Sequence, residues 1–189
     1  YKTHEIEYLL RQSDTHTLVM IENCKDTDYG EIIRNLCPEL ETKKPDAPLY
    51  AKRLPFLRNV VTVGFNMPGC LEWNEMLERG ADVPREEVRR RASMVRSGDV
   101  ANMQYTSGTT GFPKGVMLTH SNIINNGKII GDRMDMSTAD RMMIQVPMFH
   151  CFGMVLSMTS MMTHGGTLSP LPYFSPKSSL ACITAEKIT

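Results

Sequence analysis

Strand-like runs and helical runs take turns along this chain, and that alternation constrains its fold more than any other feature. TLVMIE (17–22) reads as a short buried strand and precedes DYGEIIRNLCPEL, in which Tyr29, Ile32, Ile33 and Leu36 recur at helical spacing before Pro38 stops the pattern. NVVTVGF (59–65) is a β-branched run closed by Gly64, and CLEWNEMLERG (70–80) follows as an amphipathic helix ending at Gly80. Ahead of them, Thr3 is a cap candidate for a helix to about Gln12, with Ile6, Leu9 and Leu10 on one face. Later, DVANMQYT, RMMIQVP and GGTLSPLP read as strands. THSNIINNGKIIGDRM, capped by Thr119 or Ser121, reads as a helix, as does the apolar and hence buried GMVLSMTSMMTH. SPKSSLACITAEKI opens a last helix with Ser175 as cap and Pro176 at its first position. Strands separated by helices pair in parallel through right-handed crossovers. The expected class is therefore α/β: mainly parallel sheets with helices on the faces.

Several function classes are excluded by composition. Lys+Arg and Asp+Glu both number 21, so no net charge of the whole chain draws it to nucleic acid or to an anionic membrane. REEVRRRASMVRS (85–97) is basic, but Glu86 and Glu87 stand four residues before Arg90 and Arg91 and no aromatic interleaves them. This predicts a solvated helix rather than a nucleic-acid patch. The most apolar stretch, 142–163, holds Gln145, His150, Ser157, Thr159 and Ser160 and is broken by Pro147 and Gly153, so no membrane span is expected. Five widely spaced cysteines without a C-x-x-C predict neither a disulfide framework nor a zinc site, and point to a reducing, cytoplasmic compartment. The chain opens on Tyr1 rather than Met and is read as an excised piece.

One loop carries most of the chemistry. YTSGTTGFPKG (105–115) packs glycines, hydroxyls and one lysine between a predicted strand and a predicted helix, where open α/β sheets bind ligands. Glycines let backbone N–H groups approach an anion. The hydroxyls of Thr106, Ser107, Thr109 and Thr110 can donate to phosphate oxygens, a hydroxyl can ligate magnesium, and Lys114 supplies a mobile charge suited to polyphosphate. Pro113 stiffens the loop's tail. The spacing does not fit G-x-x-x-x-G-K-[ST], nor the kinase or dinucleotide glycine patterns. The competing reading is a flexible Gly/Thr linker.

YTSGTTGFPKG resembles the phosphate-binding loop of the adenylate-forming enzymes, which include acyl-CoA synthetases, luciferases and non-ribosomal peptide adenylation domains. VPMFHCFG (146–153) resembles the family's Pro-x-x-His segment. YKTHEIEYLLRQSDTHTLVMIE and LTHSNIINNGKIIG are similar to the fatty-acyl-CoA synthetase branch, closest to its medium-chain members. The resemblance spans the whole chain. It implies an ATP-dependent fatty acid–CoA ligase that forms acyl-AMP with loss of pyrophosphate and then passes the acyl group to coenzyme A, with ATP, a fatty acid, coenzyme A and Mg2+ as partners. It implies that Thr106, Ser107, Gly108, Thr109, Thr110, Gly111, Phe112, Pro113 and Lys114 hold the phosphates, with a Thr109 or Thr110 hydroxyl on the magnesium. Lys114 and His150 are the implied catalytic residues. Phe149, His150 and Gly153 are the implied contacts to the carboxylate substrate, with His150 orienting it.

For His150 the residues alone favour a satisfied core histidine, and the resemblance reverses that. His120 and His164 match no site. Cys151 adjoins His150, but neighbours in sequence rarely meet as a nucleophile–base pair. Nine of fifteen methionines lie between 134 and 162. Met154, Met158, Met161 and Met162 share helical spacing, which suits either an acyl tunnel or plain core. The resemblance further implies a partial N-terminal AMP-binding domain: 1–98 as the first βαβ units, 99–189 as the phosphate-loop unit and acyl-site segment, with the C-terminal domain absent. Such a piece is expected to be inactive alone, as a non-catalytic phosphate-binding or structural subdomain, and to pair or associate with itself through uncovered sheet edges.

Overall fold

In the first half of the chain the β-branched runs do pair as parallel strands. The computed structural model describes residues 1–44, 46–107 and 111–189. The chain divides into two units, Tyr1–Met94 and Val95–Thr189.

The first unit begins with α1 (Thr3–Gln12), β1 (Thr17–Ile21), the short antiparallel pair β2 (Asn23–Cys24) and β3 (Thr27–Asp28), and α2 (Tyr29–Leu36). A 3-10 turn (Pro38–Glu41), β4 (Asn59–Val63), β5 (Leu71–Glu72), α3 (Trp73–Gly80) and α4 (Arg85–Met94) complete it. β4 is central, with β1 and β5 parallel on its two sides. Asp28 caps α2 by accepting from the Glu31 N–H at 2.7 Å, and this aims Ile33 and Leu36 inward. They close a core with Leu40, Leu49, Leu54, Leu57 and Val60, all nearly inaccessible to water.

Four expectations need correction here. β1 is an edge strand, so alternation leaves Val19 and Ile21 each 48% exposed while Met20 is buried. Lys2, not Thr3, occupies the cap of α1. Leu71 and Glu72 pair with β4, so the following helix starts only at Trp73, where Glu72 accepts from the Asn74 N–H at 2.7 Å. On α4, Glu87 alone bridges both Arg90 (2.6 Å) and Arg91 (2.7 Å). That helix buries no residue, as a solvated helix should.

The second unit holds β6 (Val100–Thr106), β7 (Lys114–Thr119), α5 (His120–Arg133), β8 (Arg141–Ile144), a π-helix (Phe152–Thr159), α6 (Ser160–His164), β9 (Thr167–Pro170) and α7 (Pro176–Glu186). β8 and β9 are parallel, joined by the helical crossover between them. β6 and β7 form an antiparallel hairpin. The hydroxyl-rich loop therefore joins strand to strand, and the helix follows six residues later. KGVMLT has the apolar character of a strand, and Thr119 marks where it yields to helix. The Thr119 hydroxyl accepts from the Asn122 N–H at 3.2 Å, while Asn122 Oδ1 accepts from the Thr119 N–H at 3.0 Å. Ser175 caps α7 as expected.

Candidate active site

Two features of the second unit carry chemistry, a hairpin tip and an apolar cleft. At the tip, Thr106 and Lys114 are the last partners across the β6–β7 ladder, so the hydroxyl and the ammonium flank the mouth of the loop. Thr106, Ser107, Gly111, Phe112, Pro113 and Lys114 are all exposed. Gly111 has φ +91°, a left-handed conformation that a side chain would strain. Gly115 stands opposite Tyr105, and a Cβ there would lie 2.9 Å from Met103 Sδ and 3.3 Å from Tyr105 Cζ. The glycine after the lysine thus makes room for two side chains that brace the base of the loop. Gly108, Thr109 and Thr110 lie outside the described residues. No acidic residue occurs between 105 and 115, so the donor set of two hydroxyls and a cation suits a polyanion. Among the described residues no cluster of three or more His, Cys, Asp or Glu could hold a metal.

The cleft, about 480 Å3, lies between α5 and the start of the π-helix. Its walls include Leu118, Ile123 and Ile130 on one side and His150, Val155 and Leu156 on the other. His150 sits on a tight turn. Its N–H donates to Pro147 O at 3.2 Å, and its own carbonyl accepts from Gly153 and Met154, both at 3.0 Å. The Phe152 N–H donates to His150 Nδ1 at 3.1 Å. With Nδ1 an acceptor, the neutral ring carries its hydrogen on Nε2, leaving one donor for a ligand oxygen. Gly153 fixes the turn: a Cβ there would stand 2.5 Å from Pro147 O, 2.8 Å from its carbon and 2.9 Å from Met148 Cα.

The helix beyond the turn is wider than an α-helix, and its hydroxyls fold back on the preceding turn. Ser157 donates to Phe152 O at 3.2 Å and Thr159 to Met154 O at 2.8 Å. Such π segments often occur at functional sites.

The predicted residues thus fall into two groups. His150 and Gly153 share one turn beside the cleft, and Phe149 is next to them but 75% exposed. Thr106, Ser107, Gly111, Phe112, Pro113 and Lys114 share the hairpin tip. Strand β7 links the groups, since Lys114 begins it and Leu118 reaches the cleft. At a strand's rise of ~3.3 Å per residue those two are roughly 13 Å apart. Of the two readings open for the methionines, acyl tunnel or plain core, the tunnel is not met at this cleft, which no methionine among the described residues lines. Met161 is 2% exposed core, and Met162 is 64% exposed. Cys151 lines the cleft beside His150, whose Nδ1 is already engaged by the Phe152 N–H. Sequence reasoning missed Leu118, Ile123, Val155 and Leu156 as cleft walls. The available signal was the small-x-x-x-small spacing of Gly127 and Gly131 in α5, which marks a close helix contact.

Known proteins match this chain end to end. The family model described as AMP-binding enzyme matches residues 1–189. YngI of Bacillus subtilis (strain 168), whose name assigns it provisionally to the acyl-CoA synthetases, is 40% identical over 190 residues, covering 100% of this chain and 34% of the relative. The mitochondrial medium-chain acyl-CoA ligase ACSF2 of Rattus norvegicus is 37% identical over 195 residues, covering 100% of this chain and 32% of its own length. The chain spans about a third of the length of the curated relatives it matches. Among solved structures, a Mycobacterium tuberculosis fatty acyl CoA synthetase superposes with a TM-score of 0.67 at 19% identity, covering 100% of this chain and 31% of that one. ATP-bound MatB from Rhodopseudomonas palustris gives 0.63 at 20% identity, covering 97% and 31%. At these identities the structural likeness speaks for the fold.

Proposed function

Because the chain belongs to the AMP-binding enzyme family, we propose that the intact protein is an ATP-dependent acid–thiol ligase acting on medium- or long-chain fatty acids. A carboxylate oxygen attacks the α-phosphorus of ATP and the bond to the departing pyrophosphate breaks; the sulfur of coenzyme A, losing its proton to solvent, then attacks the acyl carbon of the acyl-AMP, and the carbon–oxygen bond to AMP breaks with release of AMP. One observation carries this reading: strand β7 ties a loop with hydroxyls and Lys114 at its mouth to an apolar cleft bearing His150. The ligase names of the relatives support it.

Thr106, Ser107, Gly108, Thr109, Thr110, Gly111, Phe112, Pro113 and Lys114 hold the β- and γ-phosphates in this scheme. Preorganised donors and a cation stabilise charge as it develops on pyrophosphate, and they need no reorganisation to do so. A Thr109 or Thr110 hydroxyl would hold a magnesium ion, which would supply further charge neutralisation there. The Nε2–H of His150 orients the carboxylate, with Phe149 and Gly153 beside it, while the aliphatic tail enters the cleft. The 189 residues form part of an N-terminal AMP-binding domain, with 1–98 as the first βαβ units and 99–189 as the phosphate and acyl part. The second reading is a phosphate-binding or structural subdomain without activity of its own; the small share of the relatives' length favours it for the isolated piece. Exposed Val19 and Ile21 on edge strand β1 favour self-association of that piece. Among the described residues no helix is long and apolar enough to cross a membrane. Unpaired cysteines favour a reducing compartment, the cytoplasm first, with the mitochondrial name of one relative as the alternative.

Isotope exchange between ATP and pyrophosphate, with and without a fatty acid, tests the assignment. The intact protein is expected to exchange only with the acid present, and the 189-residue piece not at all. Absence of acid-dependent exchange by the intact protein refutes the ligase reading, and exchange by the piece alone refutes the need for the remaining chain.

A further inference from the structure

The two walls of the cleft are backbone-close along one side. A Cβ on Gly127 of α5 would stand 2.7 Å from Thr159 Cγ2, 2.9 Å from Thr159 Cβ and 3.0 Å from its backbone carbon. One turn further, Gly131 faces the imidazole of His164, and no Cβ fits there. That end is fastened. His164 Nδ1 lies 2.7 Å from Ser160 O, and His164 Nε2 lies 3.1 Å from Asp132 Oδ1. Lys128 Nζ donates to both oxygens of Asp132, at 2.7 and 2.8 Å. Thr159 is 5% exposed, and its hydroxyl donates to Met154 O at 2.8 Å. That bond holds the side chain in the rotamer that turns its methyl to Gly127.

Gly127 lies between the cleft-lining Ile123 and Ile130 on α5, and Thr159 lies one turn beyond the cleft-lining Val155. Positions 127 and 159 therefore join, at the cleft's edge, the two helices whose side chains form its walls. We infer that Gly127 and Thr159 are specificity-determining residues: their contact holds the cleft narrow, so that it takes straight aliphatic carboxylates and rejects methyl-branched or ring-bearing ones. This rests on the assignment of the cleft to the acyl group. An alanine Cβ at 127 would have to move from 2.7 Å to the ordinary limit of 3.4 Å from the Thr159 methyl, which would part the helices by roughly 0.7 Å. A gap of ~0.5–1 Å forfeits a quarter to a half of the dispersion attraction of the atoms facing it. A straight chain loses by such widening, and a branched chain gains room.

Gly127→Ala, Thr159→Ser and the double variant test this in the intact protein. The readout is the ratio of kcat/KM for octanoate to that for a methyl-branched isomer. Gly127→Ala is expected to lower the ratio by about tenfold, the scale on which one methyl group is discriminated in an apolar pocket. Thr159→Ser removes the methyl nearest position 127 and keeps the hydroxyl that bonds Met154. In the Gly127→Ala background Cβ and the backbone carbon of residue 159 still stand 2.9 and 3.0 Å from the added Cβ, so the ratio is expected to recover only in small part. Alone, Thr159→Ser leaves every hydrogen bond in place, so it folds even where Gly127→Ala does not, and it is expected to raise the ratio. A ratio within twofold of the parent's in every folded variant overturns the inference, as does an equal fall for both acids; either leaves the ligase assignment standing. A parent protein without acid-dependent exchange overturns that assignment and this inference with it.

Discussion

Replacing Gly153 by alanine tests how His150 is held. The added Cβ would meet three backbone atoms, Pro147 O at 2.5 Å, Pro147 C at 2.8 Å and Met148 Cα at 2.9 Å. None can swing away as a side-chain tip could, so the turn itself must yield. Bringing the closest contact from 2.5 Å to the ordinary limit of 3.4 Å moves the turn by roughly 0.9 Å. That turn carries His150 through the hydrogen bonds from its N–H to Pro147 O and from Gly153 to its carbonyl. Overpacking of this kind costs about 1–3 kcal/mol of stability. A displacement of ~1 Å at a positioning group can cost about 100-fold in rate. Denaturant unfolding of the intact protein is expected to show the stability loss. Steady-state kinetics are expected to show a fall in kcat/KM for the fatty acid that exceeds any change in KM for ATP. A folded variant with both constants within twofold of the parent would refute the view that Gly153 positions His150, and would leave His150 an exposed turn residue without that role.

Three further outcomes follow from the same structure. Lys114→Ala in the intact protein is expected to lower the rate of acid-dependent exchange by about 100- to 1,000-fold, as loss of a preorganised charge stabiliser does, with little change in KM for the acid; an unchanged rate would remove Lys114 from the mechanism. Burial pushes the Cys37 thiol up to about 12 and the Cys70 thiol up to about 11, from an ordinary value of 9.0. The folded state therefore keeps protons that the unfolded chain gives up, and stability is expected to fall as pH rises from about 9 to about 12. Cys37→Ala/Cys70→Ala should flatten that slope in alkaline denaturation curves. The same two thiols are expected to resist alkylation at neutral pH, whereas exposed Cys24 reacts.

Much of this protein is legible in its local chemistry. Strands at 17–21, 59–63, 100–106, 141–144 and 167–170 announce themselves by β-branched and apolar runs, because a strand's preferences are met within five or six residues. The Ser175 cap and the loop at 105–115 are equally local, since glycine and hydroxyl placement acts within one turn. The return of Lys114–Thr119 as a second strand was not legible. Six residues before a helix cap suit an extended lead-in as well as a paired strand, and only the β6 ladder decides between them. Nor could the methionines be assigned from their spacing. Met161 faces the core while Met162, one residue on in the same helix, faces water, because successive helical side chains point about 100° apart and spacing alone does not say which face is covered.

Local sequence was enough for the alternation of elements and for the glycine- and hydroxyl-rich loop, each written in residues a few positions apart. Tertiary structure alone decided what lines the cleft and how wide it is. Those depend on Gly127 meeting Thr159 and Gly131 meeting His164, pairs more than thirty residues apart whose contact arises only when two helices pack without Cβ atoms between them.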